Sequence, residues 1–266
     1  MWAKSNEGQQ IYGLIGYPLG HSFSKDYFNK KFSLLRLNAI YENFELSSAH
    51  SFPELIQRFP NLCGLNVTLP YKEAIIPYLD ALSPEAKAIQ AVNVIRFTPQ
   101  GLIGYNSDYY GFMTSLRPML RPFDLRAVVL GTGGAARAVA YALSLLDISV
   151  QFVSRTKRTG VITYEELAER KLLATTSLVI NCTPLGMFPH TTTFPPLPYQ
   201  EISPYHLFYD LIYNPTETLF LSRGKEQGAM TKNGLEMLHL QAEKAWDIWQ
   251  EPFDTSSFQG FSAAFI

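Results

Sequence analysis

Two periods of hydrophobic residues alternate along this chain, and each change of period marks an element. QIYGLIG (Gln10 to Gly16) reads as a strand. From Ser24 to Leu37 the period is helical, with Tyr27, Phe28, Phe32 and Leu35 on one apolar face. IYENFEL alternates as a strand from Ile40, Ser47 or Ser48 can cap a helix running to Phe59, and CGLNVTL is a further strand. A helix is expected from Tyr71. VNVIRF and LIGYN, joined by the turn residues Thr98 to Gly101, read as a hairpin. The first hundred residues therefore form a mixed α/β unit.

A helix from Asp108 to about Leu120 leads into Pro118 to Pro122, a boundary signal, after which the pattern changes. RAVVLG is a buried-type strand, GAARAVAYALSLL a helix and ISVQFVSR a strand. TYEELAERK is a helix, and SLVINCT and LFYDLIY are strands. Strands alternating with helices imply a parallel, doubly wound sheet. His190 to Pro204 is a proline-rich loop, and the last strong helix runs from Asn233 to about Gln250.

Composition narrows the function classes. Hydrophobic residues make up 47% of the 266 and charged residues 17%, which supports a sizeable core and argues against disorder. A formal net charge of -1 provides no broad electrostatic footprint for nucleic acid, so an anionic ligand needs a local site. The two cysteines, Cys63 and Cys182, sit in apolar runs without metal-ligand spacing, so no metal is expected. No apolar run has signal-peptide or membrane-span length; a cytoplasmic protein, monomer or homodimer, is the expectation.

Three segments carry chemistry. GLNVTLPYK ends in Lys72, and GYNSDYYGF centres on Asp108. A lysine can transfer a proton if its surroundings tune it, and a carboxylate can hold it in place. The third, GTGGAA, follows a strand and opens a helix, the context of a pyrophosphate cradle. Gly131 permits the tight turn, Gly133 lets backbone approach phosphate, and Ala136 stands where a third glycine would pack. A proton-transfer pair beside a redox-cofactor turn suggests a dehydrogenase of alcohols or ketones. Where an NAD site carries an acid about 20 residues on, this chain has SRTKR, with Arg155, Lys157 and Arg158. A guanidinium binds a 2′-phosphate through charge-assisted hydrogen bonds, so NADP is favoured over NAD. The bland alternatives are a solvated basic loop, a helix cap at Asp108 and a solvated lysine at a helix start.

GLNVTLPYK, AVNV, GYNSDYYGF, GTGGAARA, SRT, INCTPLGM and GLEMLHLQA occur in one order, and on them the chain resembles the shikimate dehydrogenases from about Gly13 to Trp249. The resemblance implies an N-terminal mixed α/β substrate domain (1–107) and a Rossmann-like NADP domain (108–232). A C-terminal helix and tail (233–266) would return to the substrate domain, with the active site in the cleft. It implies Lys72 and Asp108 as the catalytic pair. Ser22 and Ser24 would bind the substrate carboxylate, although both could instead cap a helix. Asn66, Thr68, Asn93, Tyr213 and Gln241 would complete the substrate contacts. Gly131, Gly133, Gly134 and Ala135 of the turn would hold the cofactor, with Ser154, Arg155, Thr156 and Arg158 beyond it. Thr183, Met187 and Gly234 would lie at the nicotinamide end. Two positions depart from the family pattern: Lys25 stands where proline is usual, and Val94 where AVNT has threonine. The implied reaction is NADP-linked interconversion of 3-dehydroshikimate and shikimate. The alternatives are a quinate/shikimate dehydrogenase with relaxed cofactor use, or a catalytically silent paralogue that binds NADP or a cyclic acid.

Overall fold

The computed structural model describes residues 8–20 and 23–252. In the first half, β1 (Gln10–Gly16), β2 (Ala39–Glu45), β3 (Leu62–Val67), β4 (Ala81–Leu82), β5 (Val94–Thr98) and β6 (Gly101–Tyr105) form one sheet, ordered β2-β1-β3-β5-β6-β4. β1 pairs in parallel with β2 and β3, whereas β3, β5 and β6 run antiparallel in sequence, so this sheet is mixed. Its helices are α1 (Phe23–Leu34), α2 (Phe52–Arg58) and α3 (Pro84–Ile89).

In the second half, α4 (Asp108–Leu116) precedes β7 (Arg126–Leu130), α5 (Gly134–Ser144), β8 (Ser149–Ser154), β9 (Val161–Thr163) and α6 (Tyr164–Glu169). Next come β10 (Leu178–Asn181), β11 (Leu207–Asp210), α7 (Leu219–Glu226), β12 (Met230–Lys232) and α8 (Leu235–Gln250). The second sheet runs β12-β11-β10-β7-β8-β9, with every pairing parallel. Numbered from β7 as first, that is the 3-2-1-4-5-6 order of a dinucleotide-binding sheet. The strand order reverses between β7 and β10, and ligands of open α/β sheets bind outside the strand C-termini at that switch point.

Three expectations are corrected. The α1 helix stops at Leu34, because Arg36 turns left-handed (φ 54) and Leu37 N–H bonds back to the Phe32 carbonyl at 3.0 Å. Phe28 and Phe32 are buried as the periodicity requires, but Leu35, beyond the helix end, is exposed. No regular helix starts at Tyr71. The Lys72 carbonyl accepts from Val92 N–H at 2.7 Å, and Pro77 has no N–H to offer Glu73, so an i to i+4 ladder cannot propagate. Lys72 therefore lies in a tight turn. The expected four strands of the second sheet are joined by β9 and β12, three residues each, and α7 also lies outside the sequence reading. Alternation over three residues is too short to register as a period.

α8 ties the halves together. Its Met237 packs in the core of the parallel sheet with Phe112 and Leu116 of α4. One to three turns later Ala242, Ala245, Ile248 and Trp249 join Tyr12, Phe28 and Tyr41 of the mixed-sheet unit. The Trp249 indole N–H donates to the Ile95 carbonyl at 3.1 Å, which satisfies a buried polar group in an otherwise apolar contact. A second tie comes from α5. Arg137 Nε and Nη2 donate to the carbonyls of Ile89 and Gln90 at the end of α3, each at 3.0 Å, and Nη2 pairs with Glu73 at 2.7 Å. No described helix is long and apolar enough to cross a membrane.

Candidate active site

Lys72 and Asp108 come from different elements, and the fold brings them to 2.7 Å, Nζ to Oδ2, with side-chain exposures of 15% and 3%. The other oxygen, Asp108 Oδ1, accepts from Asn93 Nδ2 at 2.9 Å. Asn93 is fixed in turn: Nδ2 also donates to Ser107 Oγ (3.0 Å) and Oδ1 accepts from Ser107 N–H (2.6 Å). The carboxylate thus has one cationic and one neutral donor and is not spent as a helix cap. That task falls to Asn106, whose Oδ1 accepts from Tyr109 N–H at 3.3 Å.

A polar row continues along the sheet's C-terminal edge. Asn66 Nδ2 donates to the Asn93 carbonyl at 3.2 Å, and Asn66 Oδ1 accepts from the buried Tyr41 hydroxyl at 2.8 Å. Ser24, in the first turn of α1, lies near the Tyr41 hydroxyl. Burial pushes the Tyr41 phenol well above its ordinary value, so it remains a neutral donor. Val67 is buried while Asn66 and Thr68 on either side are half-exposed, as strand alternation demands. Ser22 lies outside the described residues. Lys25 pairs with Glu42 at 2.7 Å, so its extra charge is committed locally. Val94 is fully buried, packed with Tyr12 and Phe28, where a hydroxyl would need a partner.

The dinucleotide turn faces this row. Gly131 has φ +106, open to glycine and costly for other residues, and its N–H donates to the Val153 carbonyl at 2.8 Å. Gly133 caps α5 with no side-chain partner, and nothing lies within 4 Å of where its Cβ would be. The first amides of α5 are accordingly open to an anion, and no acidic residue occupies that turn to oppose one. Gly134 is the point of closest approach. A Cβ there would meet Ala91 Cβ at 3.2 Å and Lys72 Cβ at 3.7 Å, so the cradle sits against the lysine's own turn. Ala135 is half-buried behind it.

The remaining positions arrange themselves around this centre. Gln241, on α8, is brought against α4 because Gly111 leaves room: a Cβ on Gly111 would lie 2.6 Å from the Met237 carbonyl and 3.1 Å from Gln241 Cβ. Gln241 Oε1 is buried with no hydrogen-bond partner among the described residues. Tyr213 is partly exposed (38%), its ring edge-to-face with Phe23 at 6.3 Å. Thr183 and the exposed Met187 follow β10, directly across the switch point from Gly131. Gly234 opens α8 pressed against the Leu211 backbone, where any side chain would collide. Ser154 ends β8, and Arg155, Thr156 and Arg158 lie on the β8–β9 connection, one strand from the turn. Ser154 Oγ braces that loop through the Thr156 backbone (2.7 and 3.1 Å), while Arg155 and Arg158 are exposed. Lys157 instead pairs with Glu166, whose own carboxylate closes a capping box with Thr163.

The sequence reading missed Tyr41, Asn106, Gly111, Asn181 and Asp210. Tyr41 reads as an ordinary aromatic in an alternating strand, and Asn181 is visible only as part of INCTPLGM. Asp210 is fully buried, and burial pushes its carboxyl from 3.8 up to about 7. The unfolded chain loses that proton near 3.8 while the folded chain keeps it to about 7, so this group's contribution falls as pH rises across that window. The span corresponds to about 4 kcal/mol at most. Asp210→Asn should therefore gain in melting temperature relative to the wild type from about pH 4 to about pH 7 and then level off. Parallel melting curves for the two proteins across that range would refute the assignment.

A parallel sheet in dinucleotide-binding order, a glycine turn at its switch point and a lysine–carboxylate pair beside that turn define a dinucleotide-dependent oxidoreductase. Residues 14–95 match the shikimate dehydrogenase substrate binding domain. The chain is 40% identical to shikimate dehydrogenase (NADP(+)) of Clostridium beijerinckii, over 96% of this chain and 98% of that one. It is 39% identical to the enzyme of the same name from Carboxydothermus hydrogenoformans, over 92% of each. The solved shikimate 5-dehydrogenase of Thermus thermophilus, in complex with NADP(H) and shikimate, superposes with a TM-score of 0.79. Identity to that structure is 31%, over 91% of this chain and 94% of that chain. The chain belongs to the shikimate dehydrogenase family.

Proposed function

We propose that this protein interconverts 3-dehydroshikimate and shikimate with NADP as the redox partner, in the supply of aromatic amino-acid precursors. The observation that carries this reading is the Lys72–Asp108 pair held at 2.7 Å beside Gly134 of the dinucleotide turn. NADP, when bound, supplies or takes up the hydride. Its pyrophosphate would be held by the open amides of Gly133, Gly134 and Ala135, and its 2′-phosphate by Arg155 with Arg158 nearby. Thr183, Met187 and Gly234 would line the nicotinamide end.

The chain's own residues then have three tasks. Ser22 and Ser24 bind the substrate carboxylate with short neutral donors. Asn66, Thr68, Asn93, Tyr213 and Gln241 hold the ring hydroxyls. Lys72 moves one proton at the reacting oxygen, as acid in the reductive direction and as base in the oxidative one. Asp108 orients that ammonium and accepts from the neighbouring hydroxyl. The domain division at about 107 and 233 follows the same reading, with the catalytic lysine on one unit and the cradle on the other. The protein would act in the cytoplasm as a monomer or homodimer.

The direct test is cofactor reduction by the purified protein with shikimate and with quinate, each with NADP and NAD. The highest kcat/KM should fall on shikimate with NADP. Comparable values for all four pairs would establish the quinate/shikimate alternative, and tight NADPH binding without turnover the silent paralogue.

Asp108→Asn isolates the carboxylate. The amide oxygen introduced by that substitution still accepts from Asn93, so the fold should be kept, with some loss of melting temperature because the half-buried ammonium is left uncompensated. Lys72 loses its anionic partner, and both kcat and the affinity for shikimate should fall, kcat by roughly 10²-fold. An unchanged KM for shikimate would remove Asp108 from the site.

A further inference from the structure

Beneath the nicotinamide end lies a buried carboxylate that no step above uses. Asp210, the last residue of β11, has no cation beside it among the described residues. Its Oδ1 accepts from Asn181 Nδ2 at 3.0 Å and from Ile212 N–H at 3.1 Å, and its Oδ2 accepts from Thr218 Oγ1 at 2.6 Å. The titratable groups that face it are the Cys182 thiol, whose pKa burial and then Asp210 push up, and the Tyr199 phenol, raised chiefly by burial.

Two of these three bonds lead to candidate ligand contacts, while Thr218 caps α7 through Leu221 N–H. Asn181 Oδ1 accepts both the N–H (3.0 Å) and the hydroxyl (2.6 Å) of Thr183. The Thr183 hydroxyl proton is thereby turned inward; Oγ1 accepts from Leu185 N–H at 3.3 Å, and what Thr183 can still present to the cleft is its remaining lone pair. On the other side, Ile212 N–H is anchored by Asp210, and the Ile212 carbonyl accepts from Gly234 N–H at 3.0 Å. Leu211 N–H bonds to the Asn181 carbonyl at 3.0 Å, and Gly234 is seated on Leu211. Tyr213 is the next residue after Ile212. One carboxylate thus stands at the root of the 181–187 loop, of Tyr213 and of the start of α8.

We propose that Asp210 is a positioning residue that, through Asn181 and Ile212, holds Thr183, Tyr213 and Gly234 in one register and orients the Thr183 hydroxyl as a hydrogen-bond acceptor toward the nicotinamide end. The inference rests on the assignment of Thr183, Tyr213 and Gly234 to the ligands. The burial of a carboxyl group with only neutral partners fits a group retained for geometry, since apolar packing would avoid the desolvation cost.

The test compares Asp210→Leu, Asp210→Asn, Thr183→Val and Tyr213→Phe by NADPH fluorescence titration, shikimate KM, kcat and melting. The amide of Asp210→Asn can repeat all three bonds: its oxygen accepts from Asn181 and Ile212, and its nitrogen donates to Thr218 Oγ1. Asp210→Asn should therefore bind NADPH within threefold of the wild type. Asp210→Leu should weaken NADPH binding at least tenfold and raise the shikimate KM, while the ratio of NADP to NAD preference, set on the β8–β9 connection, stays constant. If Asp210→Leu does not fold, Asn181→Ala breaks the same relay on its Thr183 branch and should weaken NADPH binding by a similar factor. Asp210→Leu, or Asn181→Ala in its place, with wild-type NADPH affinity overturns the proposal even when Thr183→Val and Tyr213→Phe are impaired. If those two variants are silent, the ligand assignment itself fails, and the proposal with it.

Discussion

Replacing Lys72 by alanine is expected to lower kcat by roughly 10²–10⁴-fold, the usual contribution of a positioned acid or base, with NADPH affinity nearly unchanged. The side chain reaches Asp108 from a turn whose carbonyl is pinned to Val92 N–H, so the backbone at position 72 does not depend on the ammonium. The variant strands a buried carboxylate that keeps Asn93 as a donor but loses its cation. Some loss of stability should follow, since an uncompensated buried charge is costly. The double variant Lys72→Ala with Asp108→Asn separates the two effects. It should recover the melting temperature and recover none of the activity. If the single variant keeps kcat within about threefold of the wild type, Lys72 is not the proton-transfer group.

A second large effect is expected in cofactor choice. Among the described residues no carboxylate lies within ion-pair distance of Arg155 or Arg158, whereas Lys157 is held by Glu166. Arg155 is thus the side chain of this loop best placed to meet a 2′-phosphate, with Arg158 in support. One or two charge-assisted hydrogen bonds are worth about 2–4 kcal/mol in total, a preference for NADP of roughly 30- to 1000-fold. Arg155→Ala should erase most of that preference by weakening NADP while leaving NAD nearly unaffected. Added salt should erode the preference in the wild type, because an exposed clamp is screened. Equal kcat/KM with the two cofactors in the unmodified protein would reduce Arg155 to a solvated loop residue.

The local signals were legible because each depends on neighbours in sequence. A strand ending at Leu130, a glycine turn and an Ala-rich helix together require the cradle, and the run of strand and helix periods requires a doubly wound sheet. The alternation Asn66–Val67–Thr68 places two polar side chains on one face wherever the strand goes. Pairing across distance is what the chain alone left undecided. Lys72 and Asp108 are thirty-six residues apart, and their contact at 2.7 Å depends on β5, β6 and α4 being laid against the turn that holds the lysine. The local pattern at that turn is that of a helix start, because the bond that diverts the Lys72 carbonyl comes from Val92, outside any local window.

The same reason hid Asp210. As a residue it is one acid at the end of an apolar strand, and only the parallel pairing of β10 with β11 sets Asn181 opposite Asp210 and joins the two side chains. Gln241 reads as an ordinary position on an amphipathic helix until α8 is packed against Gly111, which buries its oxygen without a partner. The sequence by itself thus determined most of the longer elements, the glycine turn between β7 and α5 and the residue types of the candidate site, since those follow from periods and turns of a few residues. Tertiary structure alone decided which of them meet, because contacts between distant segments are selected by packing and register, which no local pattern encodes.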